Sequence, residues 1–291
     1  MSSGHHDSGL PRDLIDLALS EDLGQRGDIT SQAFISPTTA SLARIVAREE
    51  CIVSGLLTAS EVFRRIDPQL EVTLRCAEGE RLSKGATLIE LNGTTRSILS
   101  GERTALNFLG RLCGVATLSS RYAEAARGTH AVLLDTRKTT PGWRLLEKQA
   151  VKAGGCTNHR MGLHDAVLVK DNHLAALGSL DALPTVISKL RAEHPGLPIE
   201  VEADTLEQVE RLLTMTGIDV ILLDNMDATM MRKALTLRNT LSPAVLLEAS
   251  GGVTLETLRQ IADTGVDRIS VGALTHSAPN ADLSMELGHA V

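Results

Sequence analysis

The sequence predicts an α/β protein in two parts: a mixed N-terminal region of helices and antiparallel strands, then an α/β barrel. Two observations carry this. From about residue 130 onward, short and almost wholly apolar runs alternate with helical segments, and each run ends in polar residues. Earlier in the chain, apolar and polar residues alternate between glycines. A strand apolar at successive positions is buried on both faces, which means a parallel sheet covered by helices, whereas alternation means a sheet with one wet face.

In chain order, "DLIDLALSEDLG" has helical spacing at Leu14, Leu17 and Ala18, with Gly24 as a stop. "SLARIVAREECIVSG" and "EVTLRCAEGERLSKGATLIELNG" read as antiparallel strands turning at Gly79, Gly85 and Gly93. "SILSGERTALNFLGRLCGVATLSSRYAEAA" is a long helical pattern with Leu99, Leu106, Leu109 and Cys113 in one stripe. Arg103 falls in the same stripe, where a cation snorkels, pairs or projects into a site. The barrel strands are then "AVLLDT" (131–136), "AVLVKDN" (166–172), "IEVEAD" (199–204), "VILLDN" (220–225), "AVLLEASGG" (244–252) and "RISVGA" (268–273), with helices such as "TLEQVERLLTMTG" and "TLETLRQIADTG" between them.

The polar ends of these runs decide between a barrel and an open sheet. They are Asp135-Thr136-Arg137-Lys138, Lys170-Asp171-Asn172, Glu202, Asp224-Asn225, Glu248 with Ser250-Gly251-Gly252, and Gly272. Barrel strands deliver their C-terminal ends to one mouth, while an open sheet gathers chemistry at a single switch point. Functional groups at six strand ends favour the barrel, and six legible strands leave it short of the usual eight.

Composition narrows the function. At 291 residues the chain has room for two domains, and 43% hydrophobic with 22% charged residues is ordinary for a globular protein. Aromatic residues are only 2%, so the core is aliphatic and base-stacking surfaces are excluded. A net charge of -7 and a pI near 5.7 exclude a general polyanion binder, but not a local cationic site. Cys51, Cys76, Cys113 and Cys156 form no C-x-x-C pair and read as reduced residues, with the cytoplasm as the expected location. No apolar run is long enough for a membrane span, and the opening "MSSGHHDSGLPRD" reads as a lead-in in which His5 and His6 carry no weight.

Residues 135–173 hold seven Lys or Arg against four acids. Arg144, Lys148 and Lys152, spaced by four after Pro141-Gly142, read as the wet face of a helix. Arg137, Lys138 and Lys170 differ, because each follows a buried run. Cations at a barrel mouth, with low dielectric behind them, suit carboxylate or phosphate ligands. His159, beside Arg160, is placed to hydrogen-bond an anionic ligand, and a spacing of five from His164 does not suit a helical zinc pair. His164 is as readily structural as functional. Glu202 and Asp224 could be a general acid and base, or oxygen ligands for magnesium carried in by a phosphorylated substrate; the surrounding cations favour magnesium. "ASGGV" before "TLETLRQ" is a glycine turn opening a helix, and with "SVGALTHS" it fits the phosphate site after the last barrel strands.

"ERTALN", "DTRKTTPG", "GGCTNHRMGLHDAVLVKDNH", "EVEADTLEQ", "VILLDN", "EASGGV" and "ISVGALTHS", in this order, resemble the quinolinate phosphoribosyltransferases. The resemblance implies an incomplete, seven-stranded α/β barrel over residues 115–275. It also implies an N-terminal α/β sandwich domain over 1–114, joined by 276–291, and homodimers in which one subunit's N-terminal domain closes the other's barrel, with hexamers left open. The implied reaction joins quinolinate and phosphoribosyl pyrophosphate, with magnesium, into nicotinate mononucleotide, pyrophosphate and carbon dioxide, in NAD biosynthesis.

Carried onto this sequence, Arg137, His159 and Arg160 would hold the quinolinate carboxylates, joined by Arg103 from the neighbouring subunit. Thr136, Lys138 and Lys170 would contact the substrates, Lys138 and Lys170 as catalytic cations. Glu202 and Asp224 would serve magnesium and the ribose hydroxyls, and Ser250, Gly251, Gly252, Gly272 and His276 would line the phosphate end. Departures are Cys156 for an expected glycine, Trp143 for an aliphatic residue, and one extra residue between Glu202 and Asp224, which leaves Glu200 as an alternative to Glu202. The rival readings are a Schiff-base aldolase on Lys170 and a non-catalytic phosphate-binding barrel.

Overall fold

The structure, a computed structural model, describes residues 12–289; the opening stretch with His5 and His6 lies outside them. The chain divides into two compact units. The first comprises residues through Ser120, then Thr139–Gly155 and the chain from Ser277; the second comprises Arg121–Lys138 and Cys156–His276.

The first unit opens with α1 (Arg12–Leu23) and α2 (Ile29–Phe34), followed by β1 (Ala40–Ala47), β2 (Cys51–Ile52), α3 (Leu56–Ile66), β3 (Glu71–Leu74), β4 (Arg81–Leu82), β5 (Thr87–Thr94) and α4 (Thr95–Ala125). Gly24, at φ 51°, ends α1 as expected, but the buried face is Ile15 and Leu19, and Leu17 is 65% exposed. Leu14, Leu17 and Ala18 are therefore one step off the true stripe, because Ile15 and Leu19 lie a full turn apart on the core side. β1 alternates between exposed and buried residues until its last turn inward, as one-sided burial requires. Gly79 and Gly85 sit at turns with positive φ. Gly93 does not turn the chain. It lies inside β5, where an added Cβ would stand 2.5 Å from Leu70 Cδ2.

On α4, Leu106, Leu109 and Cys113 are buried, but Leu99 is only partly covered and Arg103 is exposed. The buried stripe runs instead through Ile98, Ala105, Leu109 and Leu112, so Arg103 looks to solvent from this unit. α4 is followed by β6 (Val132–Leu134) in the second unit, after which the chain returns to the first unit for α5 (Arg144–Ala153). The expected wet face of α5 holds only in part. Lys152 is exposed and Arg144 is half-covered, donating from Nε to Thr139 Oγ1 at 3.0 Å, but Lys148 is 1% exposed. A spacing of four places residues on one face without saying whether the fold covers it.

The same unit contains a buried ion pair. Glu147, fully buried, accepts from Arg111 Nε at 3.0 Å and Nη2 at 2.7 Å, and from the Thr140 amide and hydroxyl at 3.0 and 2.9 Å. The third arm of Arg111 donates to the Ala278 carbonyl at 2.8 Å. One carboxylate thus ties three stretches of chain far apart in sequence. Trp143, one of the departures noted above, stacks on Phe108 with ring centroids 4.7 Å apart, which gives the aromatic ring its place.

The second unit continues through β7 (Val167–Val169), α6 (Asp171–Leu177), a 3₁₀ turn at Leu180–Ala182, α7 (Leu183–Glu193), β8 (Ile199–Ala203), α8 (Leu206–Leu213), β9 (Val220–Asp224), α9 (Ala228–Leu241), β10 (Leu246–Ser250), α10 (Leu255–Ala262), β11 (Arg268–Ser270) and α11 (Ala273–His276). Each of the six apolar runs is a strand. The last strand, β12 (Leu283–His289), belongs to the first unit, where the antiparallel sheet has the order β12-β1-β5-β3 and β2 pairs separately with β4.

The parallel sheet has the order β6-β11-β10-β9-β8-β7. Sequential strands are neighbours, and the last, β11, pairs back onto the first, β6, which is how a barrel closes. A seventh parallel segment is reduced to one bridge, between Leu134 and Thr157. It lies beside β6, and no ladder joins it to β7, so the ring is open between Thr157 and Val167. The helices that cover the ring are capped in sequence-readable ways: Thr205 with Gln208 for α8, Asp227 for α9 and Thr254 with Thr257 for α10.

Candidate active site

Side chains alternate along a strand, so register determines what the ring encloses. Glu200 pairs with Val220, Glu202 with Leu222, and Glu248 with both Leu222 and Arg268. Residues of like parity then face the interior together: Glu200 and Glu202 from β8, Asp224 from β9, Glu248 and Ser250 from β10, Ser270 from β11 and Gly272 just beyond it. Two of these groups cluster separately.

The upper cluster lies at the C-terminal strand ends. Lys170 Nζ donates to Glu202 Oε2 at 2.7 Å, and the Asp171 amide approaches Glu202 Oε1 at 3.4 Å. Oxygens of Glu202, Asp204 and Asp224 lie within 4.8 Å of one another. Asp224 is raised from the ordinary carboxylate range, first by burial and then by the charge of Glu202, with Lys170 opposing. Asn225 is the single non-glycine residue with positive φ among the described residues, at 52°. Its amide donates to the Ser250 carbonyl at 2.9 Å and its side-chain Nδ2 to Asp224 Oδ2 at 2.7 Å. Gly251, at φ 92°, packs so closely that a Cβ would stand 2.1 Å from Asn225 Oδ1. Side-chain space is absent there, so the position requires glycine.

Around the rim, the Thr136 hydroxyl caps the Lys138 amide at 3.0 Å, and Thr275 Oγ1 donates to the Lys138 carbonyl at 2.8 Å. A Cβ on Gly272 would lie 3.1 Å from both Lys138 Cδ and His276 Nε2, so these three residues converge. Arg137 Nε is buried without a hydrogen-bond partner. Arg160 donates from Nη1 to the Ala166 carbonyl at 3.0 Å, and its pKa is pulled down by burial and then by the neighbouring charge of Arg137. Two guanidinium groups thus lie near enough for their charges to repel, one with a buried N–H that no protein group accepts, an arrangement whose chemistry suits an anion.

The lower cluster lies deeper. His159 Nε2 is 3.0 Å from Glu200 Oε2 and 3.4 Å from Glu248 Oε1, and Ser270 Oγ donates to the same Glu248 oxygen. The His159 amide donates to Asp135 Oδ1 at 2.8 Å, and the Arg160 amide approaches His159 Nδ1 at 2.8 Å. Burial lowers the His159 pKa, but hydrogen bonds and charge from Glu200 and Glu248 outweigh it and raise the group to about 9. The Arg160 contact requires an unprotonated Nδ1 and opposes that rise, so charging the ring must open it. Glu200 is raised by burial, with His159 pulling back and Glu248 pushing further.

The sequence-predicted residues Thr136, Arg137, Lys138, His159, Arg160, Lys170, Glu202, Asp224, Ser250, Gly251, Gly252, Gly272 and His276 all belong to the barrel unit, and Arg103 belongs to the other. Lys170 is in direct contact with one of the acids, Glu202. Of the two candidate glutamates, Glu202 joins Asp224, and Glu200 lies one inward rung lower with His159. Sequence reasoning named Asn225 only as a strand end and missed Asp204 and the bond from Ser270 to Glu248. Period-two counting along "RISVGA" would have flagged the inward Ser270.

The family description "Quinolinate phosphoribosyl transferase, N-terminal domain" matches residues 28–113, and its C-terminal counterpart matches residues 115–286. The chain belongs to the quinolinate phosphoribosyltransferase family. Among curated relatives, the "Nicotinate-nucleotide pyrophosphorylase [carboxylating]" of Mycobacterium leprae is 44% identical over 281 residues, covering 95% of this chain and 96% of its own. The nicotinate-nucleotide pyrophosphorylase of Francisella tularensis superposes with a TM-score of 0.87 at 34% identity, covering 95% of each chain. That of Ehrlichia chaffeensis gives 0.88 at 34%, covering 99% of this chain and 100% of its own. In this quinolinate phosphoribosyltransferase, no helix among the described residues is long and apolar enough to cross a membrane.

Proposed function

We propose that the protein transfers the phosphoribosyl group of phosphoribosyl pyrophosphate to quinolinate and decarboxylates the product, yielding nicotinate mononucleotide, pyrophosphate and carbon dioxide in NAD biosynthesis. The observation that carries this, within the family, is the paired Arg137 and Arg160 at the mouth, with Arg137 Nε buried and unpartnered. A dicarboxylate matches two planar forks better than a monocarboxylate does.

Arg137 and Arg160 grip the two carboxylates, with Arg103 contributed by the second subunit of a homodimer; His159, its Nε2 turned to Glu200 and Glu248, supports Arg160 from below. Thr136 and Lys138 line the same rim. Ser250, Gly251, Gly252, Gly272 and His276 receive the phosphate. Lys170 stabilises charge leaving with pyrophosphate, and Glu202 and Asp224 orient the ribose hydroxyls. The cluster of Glu202, Asp204 and Asp224 is an all-oxygen donor set and fits magnesium. When bound, magnesium supplies positive charge beside the departing diphosphate.

Chemistry then proceeds from charge placement. The pyridine nitrogen's lone pair bonds to the anomeric carbon as the carbon–oxygen bond breaks and its electrons leave with pyrophosphate. The adjacent carboxylate departs as carbon dioxide, its electron pair stays on the ring carbon beside the cationic nitrogen, and that carbon takes a proton from water. Preorganised cations, not a strong base, do the stabilising. An aldolase reading of Lys170 fares worse, because this lysine is ion-paired rather than held in an apolar pocket.

The protein is expected to work in the cytoplasm. Carbon dioxide release from quinolinate, measured with and without phosphoribosyl pyrophosphate, tests the assignment. Release only with both substrates supports it, and no release with both rejects it.

A further inference from the structure

We propose that Glu248 is a positioning residue for the carboxylate-binding arginines, acting through His159. This deepens the reaction assigned above and rests on it. Glu248 is fully buried on β10, a strand paired on both sides, and its Oε1 meets Ser270 Oγ from β11 and His159 Nε2 at 3.4 Å.

His159 needs such an anchor. It follows Thr157, whose single bridge to Leu134 is the weakest parallel pairing of the ring, beside the gap before β7. Backbone bonds tie this segment to β6 at Thr157, whose amide donates to the Leu133 carbonyl at 2.8 Å and whose carbonyl accepts from the Asp135 amide at 3.1 Å. The side-chain contacts of its histidine supply the rest: Glu200 and Glu248 below, and Asp135 on its amide. Arg160 follows His159 directly in the chain, so a fixed ring also fixes the backbone from which the Arg160 side chain extends. A path therefore runs from rigid β10 through Glu248 and His159 to the backbone of Arg160.

That path matters because Arg160 and Arg137 repel each other. Two like charges stay together only where the fold holds them, and relaxation of Arg160 separates them. The contacts lead to the arginine pair and not to Lys170, whose partner is Glu202. Loss of the Glu248 charge is thus felt by the dicarboxylate and not by the sugar diphosphate.

The test is Glu248→Gln in the full chain, with steady-state kinetics in each substrate, thermal unfolding, and the imidazole ¹⁵N resonances of His159 without substrates. We expect KM for quinolinate to rise about tenfold, with kcat and KM for phosphoribosyl pyrophosphate within about twofold of the parent. The His159 resonances should shift, and Ser270→Ala should raise KM for quinolinate by a smaller factor in the same direction. An unchanged KM for quinolinate, an equal rise in both KM values, or unmoved resonances overturns the proposal. Should Glu248→Gln fail to fold, Glu248→Asp decides: a selective rise for quinolinate supports the role, and an unselective loss rejects it. Wild-type turnover, measured alongside, reports separately on the reaction itself.

Discussion

Lys170 Nζ lies 2.7 Å from Glu202 Oε2, so the cation and carboxylate that end neighbouring strands β7 and β8 neutralise each other across the parallel ladder. The Lys170 side chain is 48% exposed while that of Glu202 is 6% exposed, so the two ends are unequal. Removing Lys170 leaves a buried carboxylate beside Asp204 and Asp224; removing Glu202 leaves a half-exposed ammonium that water can serve. Glu202→Gln is expected to keep the fold and lower kcat/KM for phosphoribosyl pyrophosphate by about a hundredfold, roughly 3 kcal/mol. Kinetics at several magnesium concentrations check this, and a parent-like value removes Glu202 from the site.

Arg137→Ala and Arg160→Ala should each nearly abolish turnover, by a factor on the order of a thousand, about 4 kcal/mol, with unfolding curves close to the parent. Each deletion also relieves repulsion between the pair, so stability can rise slightly while activity falls. Parent-like activity in either variant rejects the carboxylate clamp.

The exposed Arg103 leads to a mixing experiment. Arg103→Ala and Lys170→Ala subunits, each inactive alone, should regain activity when combined, because a mixed dimer with the proposed shared sites would hold one intact site out of two. Verified heterodimers without recovery count against a shared site.

Glu147 and Arg111 form a buried ion pair in the first unit, where losing one partner costs more than the pair contributes. Glu147→Ala takes the counter-charge from a mostly buried guanidinium, which keeps only its bond to the Ala278 carbonyl among those described above. It also takes the acceptor from the Thr140 amide and hydroxyl, and should destabilise by about 3 to 5 kcal/mol in denaturant unfolding. Substitution of both partners by apolar residues of similar volume should recover part of that loss.

His159 gives the pH dependence its sign. Its pKa is raised on folding, from 6.5 to about 9, so its contribution is fully present below about pH 6.5 and lost as pH rises through 9. The contribution is on the order of 3 kcal/mol, reduced by the opposing Arg160 amide. Stability of the parent should therefore fall between pH 6.5 and 9 more steeply than that of His159→Asn, as read by urea midpoints across that range.

The chain's own order of residues determined the six strands, the helices between them and the family, because a strand buried on both faces must be apolar at nearly every position and the motif blocks are contiguous. It also determined which residue types end the strands. Tertiary structure decided how those ends combine. Parity along β8 turns both Glu200 and Glu202 inward, but only the stagger of the ring gives one to Lys170 and the other to His159. The spacing of Arg144, Lys148 and Lys152 defines a helix face, yet packing buries the middle lysine. Arg111 meeting Glu147, β11 pairing with β6, and the ring opening beside Thr157 join residues distant in sequence. Contacts of that kind depend on where the closed chain brings its parts, and local pattern carries no record of it.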